Sequence, residues 1–358
     1  MNRYRLPAQK LADILPYDPK FRVLDTVLSA NESPYDVPQE LKSAVRERIE
    51  KVNFNRYPDP LANTLRDLIA KDYGLKREQI LVGNGGDELL FNFTLAWGGV
   101  GRTFLNFPPT FSVYEHNARI TDTQIVNIPL LANFAIDEEA VFARLAKNDI
   151  DFMIITTPNN PTGNCVDESF VLQLLDSTDA MVLVDEAYFE FAGVSFLPYL
   201  EQHKNLIIVR TLSKAYSLAG VRLGYIFAHE EVINELIKVR QPYSVDAISQ
   251  AIGECVFEQR ALFEAPLAEI VAQRDFVFEK LKELKGVEPY PSSANFILFK
   301  VKEAFEIWND LCEQGILIRD PSEEEGLKNC LRVTIGTPQD NQRFLEALEK
   351  SLAKRGNL

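Results

Sequence analysis

The sequence predicts an α/β protein: a mainly parallel seven-stranded sheet with helices on both faces, plus a smaller α+β domain. Three observations predict it. Short apolar runs alternate with helical patterns from about residue 41 to 230. After 230 that alternation gives way to longer helical stretches and a few short strands. The chain has 358 residues, 46% of them hydrophobic, which suffices for a large core in one large and one small domain.

Residues 1–40 contain Pro7, Pro16, Pro19, Pro34 and Pro38, and prolines disfavour helix and central strand. They read as an extended arm, lying on the chain's own domains or on a partner subunit. Seven apolar runs follow, at 80–82, 103–107, 123–128, 152–156, 181–184, 206–209 and 223–228. Strands separated by helices imply parallel pairing and two covered faces. Between 209 and 223 there is no room for a crossover helix, so the last strand should be antiparallel. Residues 245–285 read as helix, with Leu267, Ile270, Val271, Phe278 and Leu281 on one face and Pro266 breaking or kinking it. Strands at 295–299, 316–318 and 332–335 and helices at 304–314 and 339–352 complete the small domain. The expected division is an arm at 1–40, a large domain at 41–260 and a small domain at 261–358.

Lysines and arginines number 38 against 52 acids, a formal charge of −14, and no long basic run is present. That argues against nucleic acid and anionic membranes as partners. Cys165, Cys255, Cys312 and Cys330 form no CxxC pair, and His116, His203 and His229 are scattered. A structural zinc, a disulfide framework and metal catalysis are therefore not expected; a reducing, cytoplasmic setting is. The start lacks the apolar core of a signal peptide, and no apolar run reaches membrane-spanning length.

The chemistry concentrates in residues 211–222. Ser213 and Lys214 follow an apolar strand, and Arg222 comes shortly after. Such a lysine can form a Schiff base with a carbonyl compound, and the serine and arginine can hold a phosphate beside it. A carbonyl next to a phosphate describes pyridoxal 5′-phosphate. The run from Gly83 to Glu88 follows a strand and opens a helix, as a phosphate cradle does; without Ser213 and Arg222 a tight turn before a helix would be the better reading. Asn160, in a proline-framed loop after the 152–156 strand, can donate its amide to a phenolate oxygen at the sheet edge where ligands bind. Asp185 ends the next strand and can pair with a pyridinium nitrogen, keeping the ring electron-withdrawing; a helix N-cap is its plainer reading. Tyr188 can hydrogen-bond the ring's O3′, and Glu186 reads as structural. Lys214 would hold the cofactor and, once displaced by substrate, move a proton between the α-carbon and C4′.

These motifs together resemble the fold type I family of pyridoxal-phosphate enzymes, and within it the histidinol-phosphate aminotransferase family. The resemblance runs from Leu15-Pro16-Tyr17, through Asn31-Glu32-Ser33-Pro34 and Arg56-Tyr57-Pro58, to Leu331-Arg332-Val333-Thr334-Ile335-Gly336-Thr337. It implies that the backbone amides of Gly86 and Asp87, with Ser213 and Arg222, bind the cofactor phosphate and that Phe111 stacks on the ring. It also implies that Tyr57 reaches the phosphate of the other subunit, which makes the active unit a homodimer. Arg332 would take glutamate's carboxylate in one half-reaction and help hold the substrate phosphate in the other. Tyr17, Asn31 and Arg319 would line the substrate pocket.

Two departures stand out: Ser33, where family members often have asparagine, and Phe111, where tyrosine is common. A phenylalanine still stacks. The activity so implied is transfer of an amino group from histidinol phosphate to 2-oxoglutarate by a ping-pong route in histidine biosynthesis. Alternatives are a threonine-phosphate decarboxylase of cobalamin synthesis and an aromatic or broad-specificity aminotransferase. A regulator that reuses the fold would need an added DNA-binding region, and none is seen.

Overall fold

The computed structural model describes residues 22–356 without a gap and, before them, Arg5, Ala8, Leu11, Ile14, Pro16, Asp18 and Lys20. Its strands in chain order are β1 (Thr26–Leu28), β2 (Ile80–Asn84), β3 (Thr103–Asn106), β4 (Gln124–Asn127), β5 (Phe152–Thr156) and β6 (Met181–Asp185). There follow β7 (Leu206–Thr211), β8 (Leu223–Ala228), β9 (Val287–Pro289), β10 (Phe296–Val301), β11 (Ile316–Ile318) and β12 (Cys330–Thr334).

Seven strands form one sheet in the order β2-β8-β7-β6-β5-β3-β4. Neighbours from β7 to β4 are parallel. β8 runs antiparallel to both β2 and β7, as the short 209–223 connection requires. Every residue of β5, β7 and β8 is buried, because helices cover both faces. Alternation along the strands feeds two cores. Leu81, Ile154, Leu183, Ile207 and Ile226 pack with the helices Gly85–Trp97, Val113–Ile120 and Glu230–Val239. Their neighbours Ile80, Met153, Val182, Ile208 and Phe227 pack with Asn63–Tyr73, Glu168–Ser177 and Ala247–Glu258.

β12, β10 and β9 form a separate antiparallel sheet. The helices Glu264–Glu283, Ala304–Glu313 and Pro338–Lys354 supply its apolar cover through Val277, Trp308 and Phe344 among others. The Pro338–Lys354 helix is closed by a reciprocal cap, with Thr337 Oγ1 accepting from Asp340 N and Asp340 Oδ2 from Thr337 N, both at 3.2 Å.

Several details depart from expectation. The arm is not wholly extended: β1 pairs in parallel with β11, Thr26 opposite Ile316 and Leu28 opposite Ile318, and the Gln39–Ile49 helix begins directly after Pro38. The 245–285 stretch divides at the 3₁₀ turn Arg260–Phe263. Pro266 does not break it, because it falls in the first turn of Glu264–Glu283, where an N–H has no helical acceptor anyway. β9 was not foreseen, and β10 and β12 are shifted by a residue or two.

Beneath β7 lies a buried ion pair. Arg210 Nε donates to Glu186 Oε2 at 2.9 Å, and Glu186 Oε1 accepts from Phe196 N at 2.6 Å. Glu186 is therefore structural, as expected. Beside it the carboxyl of Glu190 is buried next to the Tyr216 hydroxyl, and burial pushes this group up to about 8, against the pull of Arg210. A carboxyl raised in the folded state favours folding at low pH, and that contribution is lost as pH rises through the raised value. Glu190→Gln should abolish the loss. Urea unfolding at pH 6 and pH 9 should show wild type weakening by about 2 kcal/mol more than the variant.

Candidate active site

The reversal of β8 makes the site. β5, β6 and β7 end at one edge of the sheet, and β8 starts at that same edge. Residues 212–222 therefore turn back within it, carrying Ser213 and Lys214 at one end and Arg222 at the other. They open onto a cavity of about 230 Å³ that also meets the ends of β5 and β6 and the start of the Gly85–Trp97 helix.

At one end of the cavity are Gly86, Asp87, Ser213 and Arg222. The Gly85–Trp97 helix has no side-chain cap, so its first-turn amides have no intrahelical acceptor. Gly85 takes φ +77°, and a Cβ on Gly224 of β8 would lie 2.7 Å from Gly85 C and 2.8 Å from Gly86 N. Only glycine allows that approach. Arg222 is itself left-handed at φ 57°, and its Nη2 donates to Asp87 Oδ2 at 2.8 Å. Thr211 Oγ1 accepts from Ser213 N at 3.1 Å and lies 3.0 Å from Ser213 Oγ, fixing the serine.

The floor is Asp185, 5% exposed. Its Oδ2 accepts from Tyr114 Oη at 2.7 Å and its Oδ1 from Ala187 N at 3.0 Å. The helix that follows is Phe189–Ala192, with Tyr188 at its N-cap, so Asp185 is not a cap. Tyr188 Oη accepts from Asn31 Nδ2 at 2.9 Å. Asn31, buried at φ 54°, also takes Thr334 Oγ1 on its Oδ1 and Asn295 Nδ2 on its backbone oxygen, both at 3.1 Å.

Residues 29–33 of the arm run past the lysine loop. Lys214 Nζ donates to Ala30 O at 2.9 Å and lies 6.0 Å from the Tyr188 ring centre. Ser217 Oγ donates to Ser33 Oγ at 2.9 Å, which gives the unusual serine a local partner. Also in the cavity lining, Arg319 and Arg332 face each other across an antiparallel bridge with two 2.9 Å backbone bonds. Arg332 Nη2 donates to Ser29 O at 2.7 Å, and Nη1 donates to Asn160 Oδ1. Asn160 was expected as an amide donor; here its oxygen serves Arg332. Glu324 lines the cavity near both arginines, whose charge opposes the upward push of its burial.

A family model described as aminotransferase class I and II matches residues 25–348. The chain belongs to this family. A histidinol-phosphate aminotransferase 1 of Carboxydothermus hydrogenoformans is 39% identical over 98% of this chain and 100% of its own. The crystal structure of a Sinorhizobium meliloti histidinol-phosphate aminotransferase with pyridoxal 5′-phosphate superposes with a TM-score of 0.89, covering 99% of each chain at 22% identity. An L-threonine-O-3-phosphate decarboxylase from Porphyromonas gingivalis superposes at 0.82, with 28% identity over 92% of this chain and 99% of its own.

Aminotransferases of this family use pyridoxal 5′-phosphate, and the residues present fit that group. The glycine cradle leaves open space, since a Cβ at Gly86 would meet nothing within 4 Å, and Arg222 stands beside it. Phe111 faces the cavity and packs edge-on against Tyr114, their ring centres 5.6 Å apart. The buried carboxyl of Asp185 lies below. Burial pushes Asp185 up to about 6, against the bonds from Tyr114 and Ala187, so it is poised for a cationic partner.

Of the residues singled out in the sequence, the cavity brings together Asn31, Gly86, Asp87, Phe111, Asn160, Asp185, Tyr188, Ser213, Lys214, Arg222, Arg319 and Arg332. Tyr17 lies outside the described residues. Tyr57 does not line the cavity of its own chain; it is 80% exposed and stacked on Tyr243 at 4.5 Å. Sequence reasoning missed Thr110, Tyr114, Thr156, Thr211 and Glu324. Thr211, two residues before Ser213, and Thr110, directly before Phe111, carried a local signal.

In this aminotransferase the Lys214 amine is brought down to about 8 by burial first and then by the Arg332 cation, against Glu32 and Asp87. Its neutral, nucleophilic form therefore grows as pH rises to about 8. Capture of an aldehyde by the cofactor-free protein, trapped with borohydride and mapped to peptides, should rise about tenfold per pH unit below that value and then level off. The label should sit on Lys214 and vanish in Lys214→Ala. A flat profile from pH 6 to 9 would contradict the lowered amine.

Proposed function

We propose that the chain transfers the amino group of histidinol phosphate to 2-oxoglutarate, giving imidazole acetol phosphate and glutamate. The observation that carries this reading is the pairing of Arg319 with Arg332 in the lining of the cavity that also holds Lys214. Glutamate and a phosphorylated donor are both anionic, and guanidinium forks accept either carboxylate or phosphate. Relatedness supports the same choice: the chain is 39% identical over 98% of its length to a histidinol-phosphate aminotransferase.

When bound, pyridoxal 5′-phosphate supplies an electron-withdrawing ring that stabilises charge left on the substrate α-carbon. The chain's residues then do the rest. Ser213, Arg222 and the amides of Gly86 and Asp87 hold the phosphate. Phe111 would cover one face of the ring, Asp185 would pair with its nitrogen, and Tyr188 and Asn160 would hydrogen-bond its oxygen. Lys214 would hold the cofactor through its Nζ, and the same amine would accept and return the substrate's α-proton. Arg332 would hold the substrate's anionic group and so favour breaking this C–H bond over the bond to a carboxyl group.

Single-turnover absorbance with histidinol phosphate and then 2-oxoglutarate should show both halves, with no carbon dioxide released from phosphothreonine. Arg332→Ala should weaken glutamate and histidinol phosphate together, by roughly tenfold to a hundredfold each. Loss of only one substrate would separate the two roles.

The reading extends to a cytoplasmic homodimer, with an arm at 1–40, a cofactor domain at 41–260 and a small domain at 261–358. The break at Arg260–Phe263 supports the division. All four cysteines are free, and among the described residues no helix is long and apolar enough to cross a membrane. The exposed stack of Tyr57 and Tyr243, near exposed Phe54, supports a partner surface from which Tyr57 reaches the other subunit's phosphate. Mixed dimers test this. Equal amounts of inactive Tyr57→Ala and Lys214→Ala, reassociated together, should regain about a quarter of wild-type activity, because each mixed dimer contains one intact site. No recovery would place Tyr57 in its own subunit's site.

A further inference from the structure

Tyr114 is the cavity-floor group that no sequence motif supplied. It sits in the Val113–Ile120 helix, 1% exposed, and Phe111 packs edge-on against its ring. Its hydroxyl makes two contacts: 2.7 Å to Asp185 Oδ2 and 2.8 Å to Thr156 Oγ1 at the end of β5. A phenol has one proton and can also accept. Toward an ionised Asp185 it donates, and Thr156 then donates to it. Toward a protonated Asp185 the pair can reverse.

The titratable groups around Asp185 make that donor matter. Asp87 from the Gly85–Trp97 helix and Glu186 from its own segment both disfavour its charge, Tyr188 lies on the same segment, and Lys214 stands at the cavity wall. Among its described contacts the Tyr114 hydroxyl is the one side-chain donor to its carboxylate; the other donor is the Ala187 amide. Burial keeps Tyr114 itself protonated.

We propose that Tyr114 is a positioning residue that, backed by Thr156, holds Asp185 ionised and in a fixed plane, so that the proton between Asp185 and the cofactor's ring nitrogen stays on the ring. This rests on Asp185 facing that nitrogen. Without the phenol the carboxylate is more basic and draws the proton to itself, which weakens the electron sink.

The first test needs no cofactor. The stability of each cofactor-free protein is compared with that of its Asp185→Asn counterpart from pH 4 to 9, which isolates the Asp185 titration. Tyr114→Phe keeps the ring and should move that titration up by about one unit from the wild-type value. Thr156→Val should move it less, in the same direction. An unmoved titration in Tyr114→Phe overturns the proposal; if that variant fails to fold, an unmoved titration in Thr156→Val does so.

The second test is calorimetric binding of pyridoxal 5′-phosphate and of its analogue with carbon in place of the ring nitrogen. Tyr114→Phe should weaken the natural cofactor by about tenfold and leave the analogue unchanged. Equal weakening of both compounds would make Tyr114 merely structural. If Asp185→Asn separates the two compounds and Tyr114→Phe does not, the Tyr114 role fails while the Asp185 assignment stands. If neither separates them, the Asp185 assignment fails and the proposal with it.

Discussion

The insertion of antiparallel β8 between β2 and β7 is the constraint on which the site depends. A parallel strand at that position would need a crossover and would begin at the opposite edge of the sheet. Reversal lets one short loop deliver a serine, a lysine and an arginine to the edge where β5 and β6 end. It also lays Gly224 against the Gly85–Gly86 turn, so the loop and the helix start are packed as one piece. The cation and the amides are thus brought together by backbone geometry rather than by long flexible side chains.

The electrostatics follow from placing charges in that crevice. Asp185 is held above the usual carboxylate range and Lys214 below the usual amine range, each by burial. Both shifts point toward the neutral form, and a bound cationic ring and a carbonyl carbon are what these groups respectively lack. Arg319 and Arg332 are fixed differently, through backbone pairing and contacts to the arm, so these two cations belong to the side of the small sheet while the lysine belongs to the large one.

Much of this was legible in the sequence, for physical reasons. Buried parallel strands such as 152–156 and 206–209 must be apolar throughout, and chemistry at their ends must use residues such as Asp185 and Lys214 that interrupt the pattern. The short 209–223 span forced the direction of β8. What stayed hidden depends on long-range pairing or on a single bond. β1 is three residues long and is defined by β11, nearly 300 positions away. Tyr114 sits among the apolar residues of an ordinary helix, and nothing local marks its hydroxyl as facing Asp185. Asn160 was read for its amide nitrogen alone, and nothing local marks its oxygen as an acceptor for Arg332. Pro266 misled because a proline stops a helix only beyond its first turn.

Asn31 shows how tightly one position can be specified. Its backbone is left-handed; its amide and carbonyl bond Thr334 and Asn295; its side-chain oxygen takes Thr334; and its side-chain nitrogen serves Tyr188. Aspartate would lose the donor, glycine both side-chain bonds, and glutamine would overshoot while resisting the backbone twist. Of the twenty-letter alphabet, this locus admits one spelling, and arm, small sheet and large sheet are all sutured through it.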